Sequence, residues 1–274
     1  MQSINCKGKL IELDSPKVMG IMNITPDSFY DGGRLKNDRD ILLHAEKLIN
    51  EGATFIDLGG YSSRPNAKHI NEKEELQRVI PVLETLIDKF PNALISIDTF
   101  RSKVARHAIQ SGACMINDIS AGNMDEKMYK TVAELQVPYI MMHMKGTPQT
   151  MQKNPTYDDI VHEIIYYFSK KINELRSLGV NDLIIDVGFG FGKTIPQNYI
   201  LLKNLALFKS LEVPILAGVS RKSMLYKMID VTAQEALNVT TVANTIALMN
   251  GTNILRVHDV QEAIETIKII NALE

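Results

Sequence analysis

Residues of chemically useful types stand at the ends of short apolar stretches along the whole chain. Each stretch has the length and branching of a buried parallel strand, and the residue of interest comes where that strand would end. In parallel α/β barrels these ends share one face, which carries the active site. In chain order the residues are Asn23, Gly59 with Gly60, Asp98, Asn117, His143, Asp186, Lys222, and Arg256 with His258.

The acidic and amide members of this set indicate a ligand with a polar ring. Carboxylate and amide groups such as those of Asp98, Asn117 and Asp186 are costly to bury unless a partner satisfies them. A flat heterocycle that carries several N–H donors would satisfy all three. The chemistry that the residue types predict here is therefore recognition of a ring by its hydrogen-bonding edge.

The cationic members indicate that the same ligand carries phosphate. They follow the last two predicted strands, the part of a barrel that often binds phosphate. Arginine offers a planar fork that can clamp an anion or stack on a ring. Asn23, with the acidic loop residues Asp27 and Asp31, offers the oxygen ligands that Mg²⁺ prefers. The cationic residues are Lys222, Arg256 and His258.

Residues 182–194 join an apolar run to Asp186, a glycine-rich turn and a helix start. Thr194 and Gln197 have the spacing of a capping box. The ending Gly-Lys-Thr resembles a phosphate-binding P-loop, which requires a glycine five residues before Gly192. Val187 occupies that position, so the sequence argues against an ATP or GTP site. Lys193 is left without a predicted role.

Structural alternatives stay open for several of these residues. Asp98 could cap the helix that follows it, Asn117 could be a satisfied core amide, and His143 could be structural. Lys222 could form a Schiff base, as in barrel aldolases. Asp57 lies inside the second strand of the repeat rather than at its tip, and we do not expect it in the site.

Strand patterns alternate with helical patterns in eight successive units from residue 18 onward, which predicts a (β/α)₈ TIM barrel. A short strand or hairpin in residues 4–13 precedes the barrel, and residues 1–274 form one domain. An open doubly wound sheet is the alternative, because periodicity does not show closure. Asn71 with Glu74, and Asp259 with Glu262, are predicted to begin helices.

Composition excludes several classes of protein. The formal charge of −2 and the mixing of both signs argue against nucleic-acid and membrane partners. No apolar run approaches the roughly 18 residues of a membrane span. The first residues lack the layout of a signal peptide. Cys6 and Cys114 lack metal-ligand spacing and are typical of reduced thiols in a cytoplasmic protein. No dense cluster of His and Cys predicts a catalytic zinc, and His162 is expected on a helix surface.

With these residues in place, the chain resembles the dihydropteroate synthases from about Val18 to its last residue. A single matching segment would carry little weight, but all of them occur in the same order at barrel positions. The segments are residues 23–33 (NITPDSFYDGG), 57–65 (DLGGYSSRP), 96–99 (SIDT), 116–119 (INDI), 143–151 (HMKGTPQTM), 186–193 (DVGFGFGK), 220–223 (SRKS) and 256–259 (RVHD).

The resemblance implies a transferase of folate biosynthesis on a TIM barrel. Members of the family join 7,8-dihydropterin-6-ylmethyl diphosphate to 4-aminobenzoate, which gives 7,8-dihydropteroate and diphosphate. Diphosphate leaves first, and the aniline nitrogen attacks the pterin carbocation. The resemblance also implies Mg²⁺ as cofactor, sulfonamides as competitive inhibitors and a homodimer.

The same resemblance assigns residues to each part of the site. The catalytic group would be Asp98, Lys222, Arg256 and His258. The pterin would be bound by Asp98, Asn117, Asp186, Lys222 and Arg256. The diphosphate would meet Asn23, Arg256 and His258, and Asn23 with Asp31 would hold Mg²⁺. The 4-aminobenzoate pocket, where sulfonamides also bind, would consist of Phe29, Ser63, Arg64, Pro65, Phe191 and Ser223.

Three positions depart from the commonest family pattern, and all lie in the second loop. Tyr61 replaces Glu or Gln, Ser63 replaces Thr, and Asn66 replaces Gly. They bear on loop closure and sulfonamide sensitivity rather than on the reaction. Two alternatives remain: a methyltetrahydrofolate-dependent methyltransferase of the same barrel family, and a non-catalytic pterin-binding homologue. The methyltransferase would not need residues 25–29 (TPDSF) or the segment SRKS, and both segments are present. The non-catalytic homologue predicts erosion of the loops and of the diphosphate residues, which the sequence does not show.

Overall fold

Parallel strands close into an eight-membered barrel in this computed structural model, which describes residues 2–24, 38–62, 69–151 and 155–273. The strands are β1 (Ser3–Cys6), β2 (Lys9–Glu12), β3 (Lys17–Asn23), β4 (Phe55–Gly59), β5 (Leu94–Asp98), β6 (Met115–Asp118), β7 (Tyr139–Met142), β8 (Leu183–Asp186), β9 (Ile215–Ala217) and β10 (Ile254–Val257). The helices are α1 (Asp38–Asn50), α2 (Glu72–Lys89), α3 (Ser102–Gln110), α4 (Met128–Leu135), α5 (Ile160–Ser177), α6 (Ile195–Lys203), α7 (Ser223–Tyr226), α8 (Leu237–Met249) and α9 (Val260–Asn271), with a 3₁₀ helix at Leu205–Leu211.

The strand order confirms the barrel and removes the open-sheet alternative. Strands β3 to β10 pair in sequence order, and β10 pairs with β3 to close the ring. All of these pairs are parallel, so the strands point their carboxyl ends at one face. The residues predicted at strand ends therefore share that face.

The core has two layers because successive strand residues point to opposite sides of the sheet. Ile56 and Leu58 of β4 pack outward in the layer between strands and helices. Phe55 of the same strand packs inward, in a cluster with the residues that fill the barrel near its amino-terminal end. Burying each such side chain contributes about 1.5–3 kcal/mol. The inward positions that remain at the other end are the ones that carry polar groups.

The predicted N-terminal hairpin is confirmed: β1 and β2 pair antiparallel outside the barrel. Ile4 and Cys6 of the hairpin join the inner cluster together with Cys114, which precedes β6. Asn253 Nδ2, just before β10, donates to Leu13 O at 3.0 Å. The hairpin thus lies against the amino-terminal ends of the strands, opposite the predicted active face.

The predicted helix starts are partly confirmed. The Asn71 side chain accepts from the Glu74 N–H, and Thr194 with Gln197 forms the full capping box. Asp259 occupies the N-cap position of α9, but its side chain makes no capping hydrogen bond. It pairs with Arg221 instead, so α9 begins where the sequence predicted but without a side-chain cap. None of the described helices is long and apolar enough to cross a membrane.

Candidate active site

The strand register brings four of the predicted positions into one row across the barrel rim. Asn23 of β3 is level with Gly59 of β4, Gly59 is level with Asp98 of β5, and Asp98 is level with Asn117 of β6. A β-carbon on Gly59 would lie 3.2 Å from Asn23 Oδ1 and 3.5 Å from Asp98 Cβ. Glycine therefore leaves the space that these neighbouring polar side chains occupy.

Arg256 of β10 reaches across the barrel to two carboxylates. Its Nε donates to Asp57 Oδ2 at 2.6 Å, and its NH2 donates to Asp98 Oδ2 at 2.9 Å. The Asp57 side chain is fully buried, whereas those of Asp98 and Arg256 are 17% and 19% exposed. Asn117 Nδ2 donates to the same Asp57 oxygen at 2.9 Å. Asp57 thus fixes both the guanidinium and the amide, contrary to the expectation that it stays out of the site.

Asp98 is not the cap of the next helix, because α3 begins at Ser102 and has Arg101 as its N-cap. Burial raises the pKa of Asp98 to about 7, and the Asp57 carboxylate adds to the rise, although the Arg256 guanidinium opposes it. A carboxylate with this pKa changes charge close to neutral pH. That property is common among functional groups in closed sites.

Asp186 and Lys222 form the opposite wall. Gly218 lies between them, since a β-carbon there would be 3.9 Å from both Asp186 Oδ2 and Lys222 Nζ. It would also lie 3.8 Å from Arg256 Cβ, which joins this wall to the arginine cluster. Burial lowers the pKa of Lys222 to about 8, although the Asp186 carboxylate opposes the shift. Burial raises the pKa of Asp186, while Lys222 and the Gly188 N–H lower it.

The glycine-rich loop after β8 supports the lysine of this wall. Lys222 Nζ donates to Phe189 O and lies 4.9 Å from the centre of the Phe191 ring. Gly190 has φ +80°, which favours glycine, and a β-carbon there would be 3.5 Å from Lys222 Cδ. The loop therefore presents both an oxygen and an aromatic face to the ammonium.

The last two strands contribute a pair at the predicted phosphate end. Ser220 Oγ and His258 Nδ1 are 2.9 Å apart, and the main-chain N–H of His258 donates to Ser220 Oγ. Arg221 forms a bidentate pair with Asp259 at 2.8 and 2.7 Å. This pair ties the loop after β9 to the end of β10. The segments SRKS and RVHD, which are distant in sequence, are thus one structural unit.

Two residues predicted for the aminobenzoate pocket lie in the described part of the chain, and both adjoin Lys222. Phe191 faces its ammonium, and Ser223 follows it directly as the first residue of α7. The other predicted pocket residues lie outside the described residues, as does the predicted metal ligand Asp31. They are Phe29, Ser63, Arg64 and Pro65.

His143 and Lys193 occupy the side of the same loop that faces away from the rim. Lys193 Nζ lies 3.0 Å from His143 Nδ1, and the two side chains are 3% and 7% exposed. Burial lowers the pKa of His143 to about 2, with Lys193 adding to the shift, so the ring stays neutral. The structural interpretation of His143 fits this arrangement. Only the fold reveals that Lys193 is buried, because a lysine in a glycine-rich loop is normally exposed.

The chain matches the family model described as "Pterin binding enzyme" over residues 19–258. It is also 42% identical over 268 residues to the dihydropteroate synthase of Escherichia coli strain K12, an alignment that covers 97% of this chain and 94% of the relative. The match includes every strand of the barrel except the first two residues of β3.

Solved structures give the same answer. The crystal structure of Yersinia pestis dihydropteroate synthase with a sulfonamide drug complex has a TM-score of 0.95 and 39% identity, and the alignment covers 99% of both chains. The Xanthomonas albilineans dihydropteroate synthase with 4-aminobenzoic acid has a TM-score of 0.91 and 38% identity, over 99% of this chain and 97% of that one. Family model, sequence identity and fold agree, and the chain belongs to the dihydropteroate synthase family of pterin-binding enzymes.

Proposed function

We propose that this chain condenses 7,8-dihydropterin-6-ylmethyl diphosphate with 4-aminobenzoate to 7,8-dihydropteroate and diphosphate. One observation carries the proposal beyond family membership: Asp98, Asn117, Asp186, Lys222 and Arg256 meet at one rim in a hydrogen-bonded and charged arrangement. A ring with several N–H donors and a ring carbonyl fits carboxylates on one side and an ammonium on the other. Such convergence of perturbed ionisable groups is typical of a catalytic site.

The diphosphate is proposed to lie toward the ends of β3 and β10. The contacts of Arg256 with Asp57 and Asp98 occupy Nε and NH2, and we assign NH1 to the leaving group. His258 lies on the same side, with its Nδ1 toward Ser220. The fixed Arg256 guanidinium at this end stabilises the charge that develops when the bond to diphosphate breaks.

In the proposed reaction, the bond between the exocyclic methylene and the diphosphate oxygen breaks, and its electrons leave with diphosphate. The resulting pterin cation is stabilised by the Asp98 carboxylate, which must be ionised to do so. The aniline nitrogen of aminobenzoate then forms the new C–N bond and loses one proton to water or diphosphate. Phe191 and Ser223, which adjoin Lys222, support placing aminobenzoate on the Lys222 side.

Mg²⁺ is proposed as a cofactor that arrives with the diphosphate. No group of three or more His, Cys, Asp or Glu side chains that could hold a metal occurs in residues 2–24, 38–62, 69–151 and 155–273. Asn23 supplies one oxygen at the rim, beside Gly59. Mg²⁺ commonly uses one or two protein ligands with substrate phosphates and water, so this sparse donor set fits it. When bound, Mg²⁺ neutralises charge on the leaving diphosphate.

Removal of Mg²⁺ separates this role from pterin recognition. A chelator should abolish turnover, and added Mg²⁺ should restore it, because charge on the diphosphate would otherwise be unscreened. Binding of a pterin that lacks the diphosphate, measured by calorimetry, should be unchanged. Full turnover with the chelator present would contradict the cofactor assignment.

A homodimer and a cytoplasmic location are proposed on separate grounds. Val242, Ile246 and Met249 of α8 are exposed and follow one face at helical spacing. Light scattering should give twice the chain mass, and Val242→Glu with Ile246→Glu should give the monomer mass. A monomeric parent protein would contradict this.

Free thiols at Cys6 and Cys114 fit a reducing compartment, which supports the proposed cytoplasmic location.

The reaction is tested with purified protein, the pterin diphosphate, 4-aminobenzoate and Mg²⁺. Dihydropteroate and diphosphate should appear in equal amounts, and a sulfonamide should compete with aminobenzoate. Diphosphate release without coupling, or no turnover, would contradict the proposal. Methyl transfer from methyltetrahydrofolate by the same sample would instead support the methyltransferase alternative, and pterin binding without either reaction would support a non-catalytic homologue.

A further inference from the structure

The buried ammonium of Lys193 gathers acceptors from the backbone of the loop after β8. Its Nζ lies 2.9 Å from Gly188 O and 2.8 Å from Phe191 O. It also lies 3.1 Å from the main-chain oxygen of His143 and 3.0 Å from Nδ1 of the same residue. We propose that Lys193 is a positioning residue, which fixes this loop so that Phe189 O and the Phe191 ring meet Lys222 in the active site.

The contacts of Lys193 differ from those of an ordinary buried lysine. An ammonium has three protons, and here three carbonyls and one ring nitrogen surround it. Among the described residues no carboxylate pairs directly with it. Burying a charge is costly unless hydrogen bonds compensate, and three of the four compensating acceptors here are main-chain carbonyls.

Lys193 and Lys222 bind carbonyls of the loop that are separated by very few covalent bonds. Lys193 binds the carbonyls of Gly188 and Phe191, and the carbonyl of Phe189 between them accepts from Lys222 Nζ. A displacement of the bound carbonyls therefore moves the Phe189 oxygen and the Phe191 ring together. Both are direct neighbours of the ammonium proposed to bind the pterin.

The loop also has little freedom to adjust around a lost lysine. Gly188 has φ +71°, and a β-carbon there would come within 2.0 Å of His143 O, so the backbone is in direct contact with the end of β7. Asn198 Oδ1 accepts from the Gly190 N–H at 2.7 Å, and Tyr157 donates to Gly192 O at 2.8 Å. These outer contacts keep the loop folded, whereas the Lys193 side chain binds the carbonyls of Gly188 and Phe191, which flank the Phe189 carbonyl.

The inference rests on the proposed function, and its test compares Lys193→Met with Lys171→Met. Lys171 is a matched control, because its Nζ also donates to three acceptors near a strand end: Ala121 O and Asn123 Oδ1 of the loop after β6, and Tyr129 OH of α4. For Lys193→Met we expect kcat/KM to fall about 10²-fold, the scale of a displacement of about 1 Å near the chemistry. KM for 4-aminobenzoate should also rise. The rise should occur well below the melting temperature of the variant, so that unfolding does not account for it. Lys171→Met should leave both KM values within about threefold, as for a change remote from reacting groups.

A second readout does not depend on turnover. Amide hydrogen exchange of a peptide that covers residues 187–195 should accelerate in Lys193→Met and stay unchanged in Lys171→Met. Loss of a purely structural lysine would lower the melting temperature and leave both KM values unchanged.

The outcomes separate the two proposals. If the parent protein turns over and Lys193→Met keeps both KM values and the exchange pattern, the inference about Lys193 is wrong and the proposed function stands. If the parent protein shows no turnover, the proposed function fails, while hydrogen exchange still decides whether Lys193 fixes the loop. Should the Met variant not fold, Lys193→Arg retains the charge with different geometry. Wild-type KM values in that variant, together with faster exchange of residues 187–195, would overturn the inference.

Discussion

Two lysines hold the same glycine-rich loop from opposite sides, and they differ in what else they meet. Lys222 donates to Phe189 O from the rim, where it also lies near Asp186 and the Phe191 ring. Lys193 holds Gly188 O and Phe191 O from behind and is 3% exposed. One ammonium is available to a ligand, whereas the other is consumed by main-chain carbonyls. The comparison shows that burial of a lysine does not by itself mark a ligand-binding group.

Burial lowers the pKa of both lysines, but the consequence differs. The pKa of Lys222 falls to about 8, and Asp186 limits the shift. The pKa of Lys193 falls well below its usual value, and Asp186 again opposes the fall. At the rim, a lysine whose pKa is about 8 can change its protonation state when a ring binds. Behind the loop, the lowered pKa of Lys193 reflects burial, and repulsion from Lys222 adds to the shift.

The largest expected effect comes from removing the rim lysine. Lys222→Ala should lower kcat/KM by at least about 10²-fold, as expected for one preorganised polar group. The melting temperature should not fall by more than a few degrees, because a desolvated charge is removed. Steady-state kinetics and calorimetry measure the two quantities. A loss below threefold would show that the two lysines do not divide the work in this way.

Asp98 is the rim residue that tests whether the front of the site is electrostatic. Asp98→Asn should lower kcat/KM by about 10²-fold, since the amide cannot balance a cation. In the parent protein kcat/KM should rise as pH increases through about 7, where Asp98 ionises, and decline above about 8, where Lys222 loses its proton. The rise near pH 7 should be absent from the variant. A rise that persists would assign it to another group.

A double-mutant cycle tests whether the two sides of the loop communicate. Lys222→Ala and Lys193→Met should be non-additive in kcat/KM, with a coupling of about 0.5–3 kcal/mol, because both act on one short segment. The pair Lys222→Ala and Lys171→Met provides the control and should be additive. Additivity in both pairs would mean that the front and back lysines act independently.

The smallest expected effect on catalysis belongs to Asn198, which also holds the back of the loop. Its Oδ1 accepts from the Gly190 N–H, and its Nδ2 donates to Thr194 O at 2.7 Å. Asn198→Ala should reduce the free energy of unfolding by about 1–3 kcal/mol, the cost of unsatisfied buried groups. It should change kcat/KM by less than about tenfold, because Lys193 still binds the carbonyls of Gly188 and Phe191. A larger catalytic loss would make loop support general rather than specific to Lys193.

The sequence predicted the barrel, the hairpin and the rim residues because strand tips and periodicity are local signals. It missed Asp57, which was judged by its distance from the strand end rather than by the side to which it points. Asp57 shares the parity of Phe55 and Gly59 on β4, so the period of two was the available signal. Arg256, at an inward position of β10, is its partner over the intervening strand β3.

Lys193 left no comparable signal. Its four acceptors come from two loops that meet only when β7 and β8 lie side by side, and no spacing along the chain encodes that meeting. The pairing of Asp259 with Arg221 was missed for the same reason. Its partner Arg221 is 38 residues away in the chain and becomes a neighbour only through the pairing of β9 with β10.

The hairpin at the amino-terminal end of the barrel gives this protein a built-in chemical reporter. Cys6 and Cys114, the two cysteines of the chain, are both buried between the hairpin and the barrel floor. A thiol reagent can reach them only when the hairpin lifts from the strands. Labelling rates therefore measure how often the hairpin separates from the barrel strands, independently of events at the ligand face. No introduced probe is needed.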